Sequence, residues 1–134
     1  MTEINKQPWL DEPNEMEFEH CGLKCKILRV LTIGHLCGYV GIPENHRFYK
    51  KSYDDLNEIN ELEVHGGLNF AGKINAKDGL WFFGFDAAHC GDLIPFMPPG
   101  PFRSSIYESQ EYRDISFMEK ECEKLAEFLA KEQK

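Results

Sequence analysis

The stretch Leu80-Trp81-Phe82-Phe83-Gly84-Phe85-Asp86-Ala87-Ala88-His89-Cys90-Gly91-Asp92 constrains the fold more than any other part of the chain. Its first half is an aromatic, apolar run, the signature of a strand that enters a buried core. Within a few residues it turns to Asp86, His89 and Asp92, with Gly84, Ala87, Ala88 and Gly91 between them. Charges that end a core strand are expensive to bury unless something pairs with or binds them. Asp86, His89 and Asp92 are therefore the leading candidates for a site.

The chain around this stretch has 134 residues, 42% of them hydrophobic and 13% aromatic. That length and composition fit one packed domain rather than a disordered chain. We expect a flexible N-terminal arm over 1–14, where Trp9 and Leu10 can pin it down, and one globular domain over 15–134. The formal charge of -8 and the lack of a basic run argue against binding to DNA or RNA backbones. A small anionic ligand remains compatible, because a local pocket can be positive on a negative protein. No run reaches the roughly 20 apolar residues of a membrane span, and the polar start of the chain does not read as a signal peptide. A cytoplasmic setting is the expectation. Cys21, Cys25, Cys37, Cys90 and Cys122 are an odd number, which suits reduced thiols.

Along the chain, Met16–His20 alternates as a short strand and Gly22 makes a turn. Leu23–Ile33 and Leu36–Ile42 read as a strand and its partner, broken at Gly34-His35. Asp54–Glu63, with Leu56, Ile59 and Leu62 at near-helical spacing, predicts a short helix or structured loop. Val64–Gly72 alternates as a further strand, its glycines marking a bulge or a close approach. Asn75–Gly79 turns it into the central stretch. Pro95–Pro101 is a stiff, irregular loop. From Tyr112 onward the pattern is helical, with Ser116 and Glu119 as a capping box. Met118, Cys122, Leu125, Ala126 and Leu129 form one apolar stripe. The expected fold is α+β: an antiparallel sheet of about five strands with this helix across one face.

A hairpin turning near 75–79 sets residue 70 opposite about 84 and residue 65 opposite about 89, since paired positions sum to a constant. That arithmetic predicts His65 beside His89, converging with Asp86 and Asp92. Imidazole and carboxylate at this spacing suit either a divalent metal or general acid and base chemistry. The plainer role for Asp86 and His89 is to staple the turn at a strand end. His20, Cys21, Cys25, His35 and Cys37 invite a zinc reading, but their spacing lacks paired knuckles, and buried cysteines on strands explain them more simply. No cofactor is favoured; a divalent metal, if present, falls to Asp86, His89 and Asp92.

Arg47, Tyr49, Lys50, Lys51 and Tyr53, with Arg103 and Arg113, offer cations for phosphate and rings for a base. Ordinary surface charge is the competing explanation. The expected ligand contacts are His65, Asn69, Trp81, Phe83, Asp86, His89, Asp92, Arg47, Tyr49 and Arg113. No P-loop, GxGxxG or nucleophile elbow is present.

Three segments carry a resemblance: Cys37–Pro43, Val64–Gly72 and Trp81–Asp92, joined by Tyr112-Arg113-Asp114 and the helix over 121–126. Over roughly residues 35–130 the chain resembles a family of small, largely uncharacterised phage and prophage proteins with HGGL and W-x-F-G-F-D-x-A-H-x-G-D motifs. The resemblance implies a phage context, in which small proteins of this size include counter-defence factors. Three functions are then expected. The first is a homo-oligomeric protein that sequesters a nucleotide-derived immune signal, of cyclic dinucleotide or ADP-ribose type. The second is a phosphodiesterase or related hydrolase using His65 and His89 with Asp86 and Asp92. The third is a protein inhibitor of a host enzyme. The missing nucleophile tilts the balance toward binding.

Overall fold

The computed structural model describes residues 8–88, 92–96 and 111–132. Its architecture is α+β: a five-stranded antiparallel sheet with a C-terminal helix packed on one face. The strands are β1 (Glu15–His20), β2 (Leu23–Arg29), β3 (Leu36–Ile42), β4 (Phe70–Gly72) and β5 (Trp81–Asp86). Their order in space is β1-β2-β3-β5-β4. The short helix α1 (Tyr53–Asn57) lies on the crossover from β3, and α2 (Ile115–Lys131) closes the structure.

Register decides which side chains meet. Ile27 of β2, Gly38 of β3 and Phe85 of β5 lie in one row, as do Cys25, Val40 and Phe83. These rows face α2, whose Met118, Cys122, Leu125, Ala126 and Leu129 are fully buried. The stripe read from sequence is thus the face that packs. Burying each large side chain of that stripe contributes roughly 1.5–3 kcal/mol. Phe83 lies wholly inside this layer.

Close approach of helix and sheet depends on Gly38. A Cβ there would stand 2.5 Å from the Phe85 ring and 2.9 Å from the Cys122 sulfur. At the far end of α2, the buried His46 joins the 43–48 turn to the helix. Its Nδ1 accepts from the Phe48 amide at 3.0 Å, so Nε2 carries the proton and donates to the Leu129 carbonyl at 2.7 Å.

The β4–β5 hairpin has the register expected from its turn: Phe70 pairs with Gly84, Ala71 with Phe83 and Gly72 with Phe82. Its length differs from the expectation. Strand β4 covers only 70–72; the Asn69 amide still donates to the Gly84 carbonyl at 2.9 Å, and residues 64–68 lie off the sheet. Gly66 and Gly67 both take left-handed backbones (φ 69° and 79°), a conformation that ends a strand. The Gly67 amide donates back to the Val64 carbonyl at 2.9 Å.

The start of α2 also differs from the expected capping box. Asp114, not Ser116, is the N-cap, accepting from the Phe117 amide at 2.9 Å. Glu12 takes the Ile115 amide at 2.9 Å, so two carboxylates hold the positive end of the helix. Glu12 also accepts from the Tyr112 hydroxyl and pairs with Arg29 at 3.1 Å. The Arg29 guanidinium is nearly enclosed, donating as well to the Asn14 side chain and to the Gly34 carbonyl at 2.7 Å. Trp9 is buried with its ring edge-on to Tyr112, whereas Leu10 is exposed.

Replacing Gly38 with alanine should cost about 1–3 kcal/mol, because the added methyl overlaps both Phe85 and Cys122. Urea denaturation reads this as a lowered midpoint; an unchanged midpoint would show that α2 does not press on β3 there.

Candidate functional site

The sharpest polar constellation is built on Asp92. Its side chain has 0% exposure, so its charge must be met from within the protein. His65 Nε2 approaches its two oxygens at 3.0 and 2.8 Å, and Arg113 Nε donates to Oδ1 at 2.9 Å. Arg113 can only donate, and the carboxylate that meets its guanidinium serves as acceptor. Nε2 of His65 therefore carries the proton.

Three separate segments supply these groups. The Gly66-Gly67 turn swings His65 off the sheet. Asp92 sits where the Leu93 amide bonds the Glu111 carbonyl at 2.9 Å, beside a parallel bridge of Asp92 with Glu111. Arg113 follows directly and also pairs with Glu111 at 3.1 Å. From α2, Phe117 presents its ring edge-on to His65 at 5.1 Å, and the Arg113 guanidinium lies 5.0 Å from the same ring. Glu121 is buried and accepts the His65 amide at 2.8 Å; its other oxygen pairs with Lys124 at 2.9 Å. Imidazole ring and main chain of His65 are both fixed.

Beside this group lies an open cleft of about 730 Å³, within the usual range of small-molecule sites. Its lining includes Asn57, His65, Gly66, Phe117, Glu121 and Lys124. Asn57 is committed to the wall: its side chain both donates to and accepts from the main chain of Leu68.

The residues singled out from sequence fall into several places. His65, Asp92 and Arg113 come together. Asp86 accepts from Asn69 at 2.9 Å and, at 3.4 Å, from the Ala88 amide, the turn-stapling role at the strand end. Trp81 and Tyr49 sit with ring centroids 6.0 Å apart, where Trp81 donates to the Lys51 carbonyl and Tyr49 to the Gly79 carbonyl. Arg47 pairs with Glu132 at 3.4 Å, away from the cleft, and Lys50, Lys51 and Tyr53 are exposed. Phe83, expected to touch a ligand, is a core residue. Asp92 itself is enclosed, its oxygens facing His65 and Arg113. His89, Cys90 and Arg103 lie outside the described residues, so the expected pairing of His65 with His89 does too.

The zinc reading named His20, Cys21, Cys25, His35 and Cys37. His20 meets Glu127 at 2.8 Å, and Cys25 is buried with its thiol pushed up to about 12 by desolvation. Burial likewise raises Cys37 to about 11. Among the described residues, no group of three or more His, Cys, Asp or Glu side chains is gathered as for a metal ion.

Phe117, Glu121 and Lys124 were not singled out from sequence. The signal was present: Phe117, Glu121, Lys124 and Phe128 repeat the spacing of the core stripe one position earlier, marking a second helix face that borders it. No family model, curated protein or solved structure matches the chain. Among the described residues, no helix is long and apolar enough to cross a membrane.

Asp92→Asn removes the charge that His65 and Arg113 both face, and should destabilise the protein by about 3 kcal/mol or more. Chemical denaturation checks this; a loss under about 1 kcal/mol, the size of an exposed pair, would show that the carboxylate is not the enclosed centre described.

Proposed function

We propose that the protein binds and sequesters a small nucleotide-derived signal, of cyclic dinucleotide or ADP-ribose type, in the cleft beside His65. The observation that carries this reading is the cleft itself: a small-molecule volume walled by a doubly anchored histidine, an aromatic ring and a lysine. Phe117 and the His65 ring offer apolar and edge contacts to a base. Lys124, half-exposed at the rim and paired with Glu121 at 2.9 Å, can turn to a phosphate by leaving that carboxylate. Arg113 is occupied by Asp92 and Glu111, and Arg47 is far from the cleft, so phosphate contacts here are fewer than the basic residues of the sequence suggest. The carboxylates of Glu63 and Glu121 favour a ligand that brings ribose hydroxyls rather than several clustered phosphates. A counter-defence role in a phage setting belongs to this proposal and rests on the sequence resemblance; homo-oligomeric assembly belongs to it through the tight enclosure that sequestration requires.

A second reading, hydrolysis, draws on one specific feature. A histidine whose Nε2–H is held by a buried carboxylate is oriented as general bases are. In that case His65 moves the proton and Asp92 positions it.

The test is incubation of the pure protein with a panel of cyclic dinucleotides and ADP-ribose derivatives, with and without chelator. Native mass spectrometry follows binding, and chromatography follows the ligand's fate. We expect a ligand recovered intact after denaturation, bound roughly tenfold more weakly by Phe117→Ala or Lys124→Glu. A cleaved ligand would replace sequestration with hydrolysis. Failure of every panel member to bind would remove the nucleotide reading altogether.

A further inference from the structure

The outer edge of the sheet carries a pattern that the cleft does not use. Strand β1 alternates exposed Glu15, Glu17 and Glu19 with half-buried Met16, Phe18 and His20. The sheet ends at β1, and among the described residues no strand pairs with its outer side. The turn from β1 to β2 is two residues, Cys21 and Gly22, both with left-handed backbones (φ 55° and 79°), and it closes on His20 opposite Leu23. A turn of that kind closes on a hydrogen-bonded pair, and bonded and non-bonded pairs then alternate down the ladder. His20, Phe18 and Met16 thus direct their amides and carbonyls to β2. Glu15, Glu17 and Glu19 direct theirs outward. The same three residues present both the unpaired backbone and the carboxylates.

These glutamates lie on the face away from α2. There Glu17 stands opposite Lys26 and Glu19 opposite Lys24, with Lys26 Nζ 2.8 Å from Glu17. On the other face, Met16 and Phe18 pack against the margin of the core.

We propose that the β1 edge is a docking site for an antiparallel strand of a partner protein in which basic and apolar side chains alternate. The partner's lysines or arginines sit directly opposite Glu15, Glu17 and Glu19, and at the last two extend the rows of opposite charge that β1 and β2 already form. Its apolar side chains lie beside Met16 and Phe18. Strand addition supplies main-chain hydrogen bonds, and the alternating side chains supply the selectivity. A second copy of this chain is the wrong occupant, because β1 against β1 sets glutamate against glutamate.

The probe is a blocked heptapeptide, Lys-Val-Lys-Val-Lys-Val-Lys, titrated into the isotope-labelled protein and followed by amide chemical shifts and hydrogen exchange. The control peptide carries glutamate in place of lysine. We expect shifts centred on β1, slowed exchange at Glu15, Glu17 and Glu19, and binding roughly tenfold tighter for the lysine peptide. Glu17→Pro removes one outward amide while leaving the bonds to β2, as edge strands permit, and should abolish binding by a folded protein. The double change Glu17→Lys and Glu19→Lys should reverse the preference between peptides, and decides the matter if the proline variant does not fold. Equal affinity for both peptides, shifts at the cleft instead of β1, no binding at millimolar peptide, or binding by folded Glu17→Pro would each overturn the proposal.

Discussion

A carboxylate with no exposed surface sets the terms for this structure. Asp92 is tolerable inside the protein because His65 and Arg113 converge on it. Meeting that requirement brings together the loop after α1, the short segment around 92–93 and the residues that lead into α2. None of these is a sheet strand; Val64, Leu68, Ile115 and Phe117 seat two of them on the core, and the polar contacts to Asp92 join them to the third. The cleft exists because His65 is drawn toward Asp92 while Gly66 and Gly67 turn the chain away.

A second buried charge plays the corresponding part at the N-terminal side. Arg29 gathers Glu12, Asn14, Gly34 and Tyr112 at the end of β2. Glu12 in turn takes the first amide of α2. One guanidinium therefore joins the N-terminal segment, the β2–β3 turn and the helix entry. Both hubs use arginine, whose fork of donors can satisfy several acceptors at once. The two are linked through Tyr112 and Arg113, adjacent residues that serve one hub each. The lead-in to α2 is held from both sides.

Much of the fold was legible because it follows from period and spacing. The stripe at Met118, Cys122, Leu125, Ala126 and Leu129 marked the packing face of α2, and the turn at 75–79 set Phe70 opposite Gly84. At residue 65 the ladder no longer applies, because β4 begins only at Phe70 and two left-handed glycines lie between, while His89, the expected neighbour of His65, is outside the described residues. Ser116 with Glu119 matched a capping pattern, yet Asp114 was placed to bond the Phe117 amide first. Of the site, His65, Asp92 and Arg113 stood out by residue type. Their meeting did not, since contacts across 21 and 27 positions leave no periodic trace. Glu121 lies on the helix face that borders the core stripe, but a glutamate there reads as one more solvated charge, and its role as a buried acceptor comes from the fold.

Asp92 fixes the His65 ring in one orientation at the wall of the cleft, with a proton on Nε2. Long-range proton–nitrogen correlation spectra of the His65 imidazole at neutral pH test it directly. Held by Asp92, the ring shows one signal set with a proton on Nε2, shifted downfield by the carboxylate. A ring protonated only at Nδ1, or the averaged tautomers of a solvated ring, would contradict this.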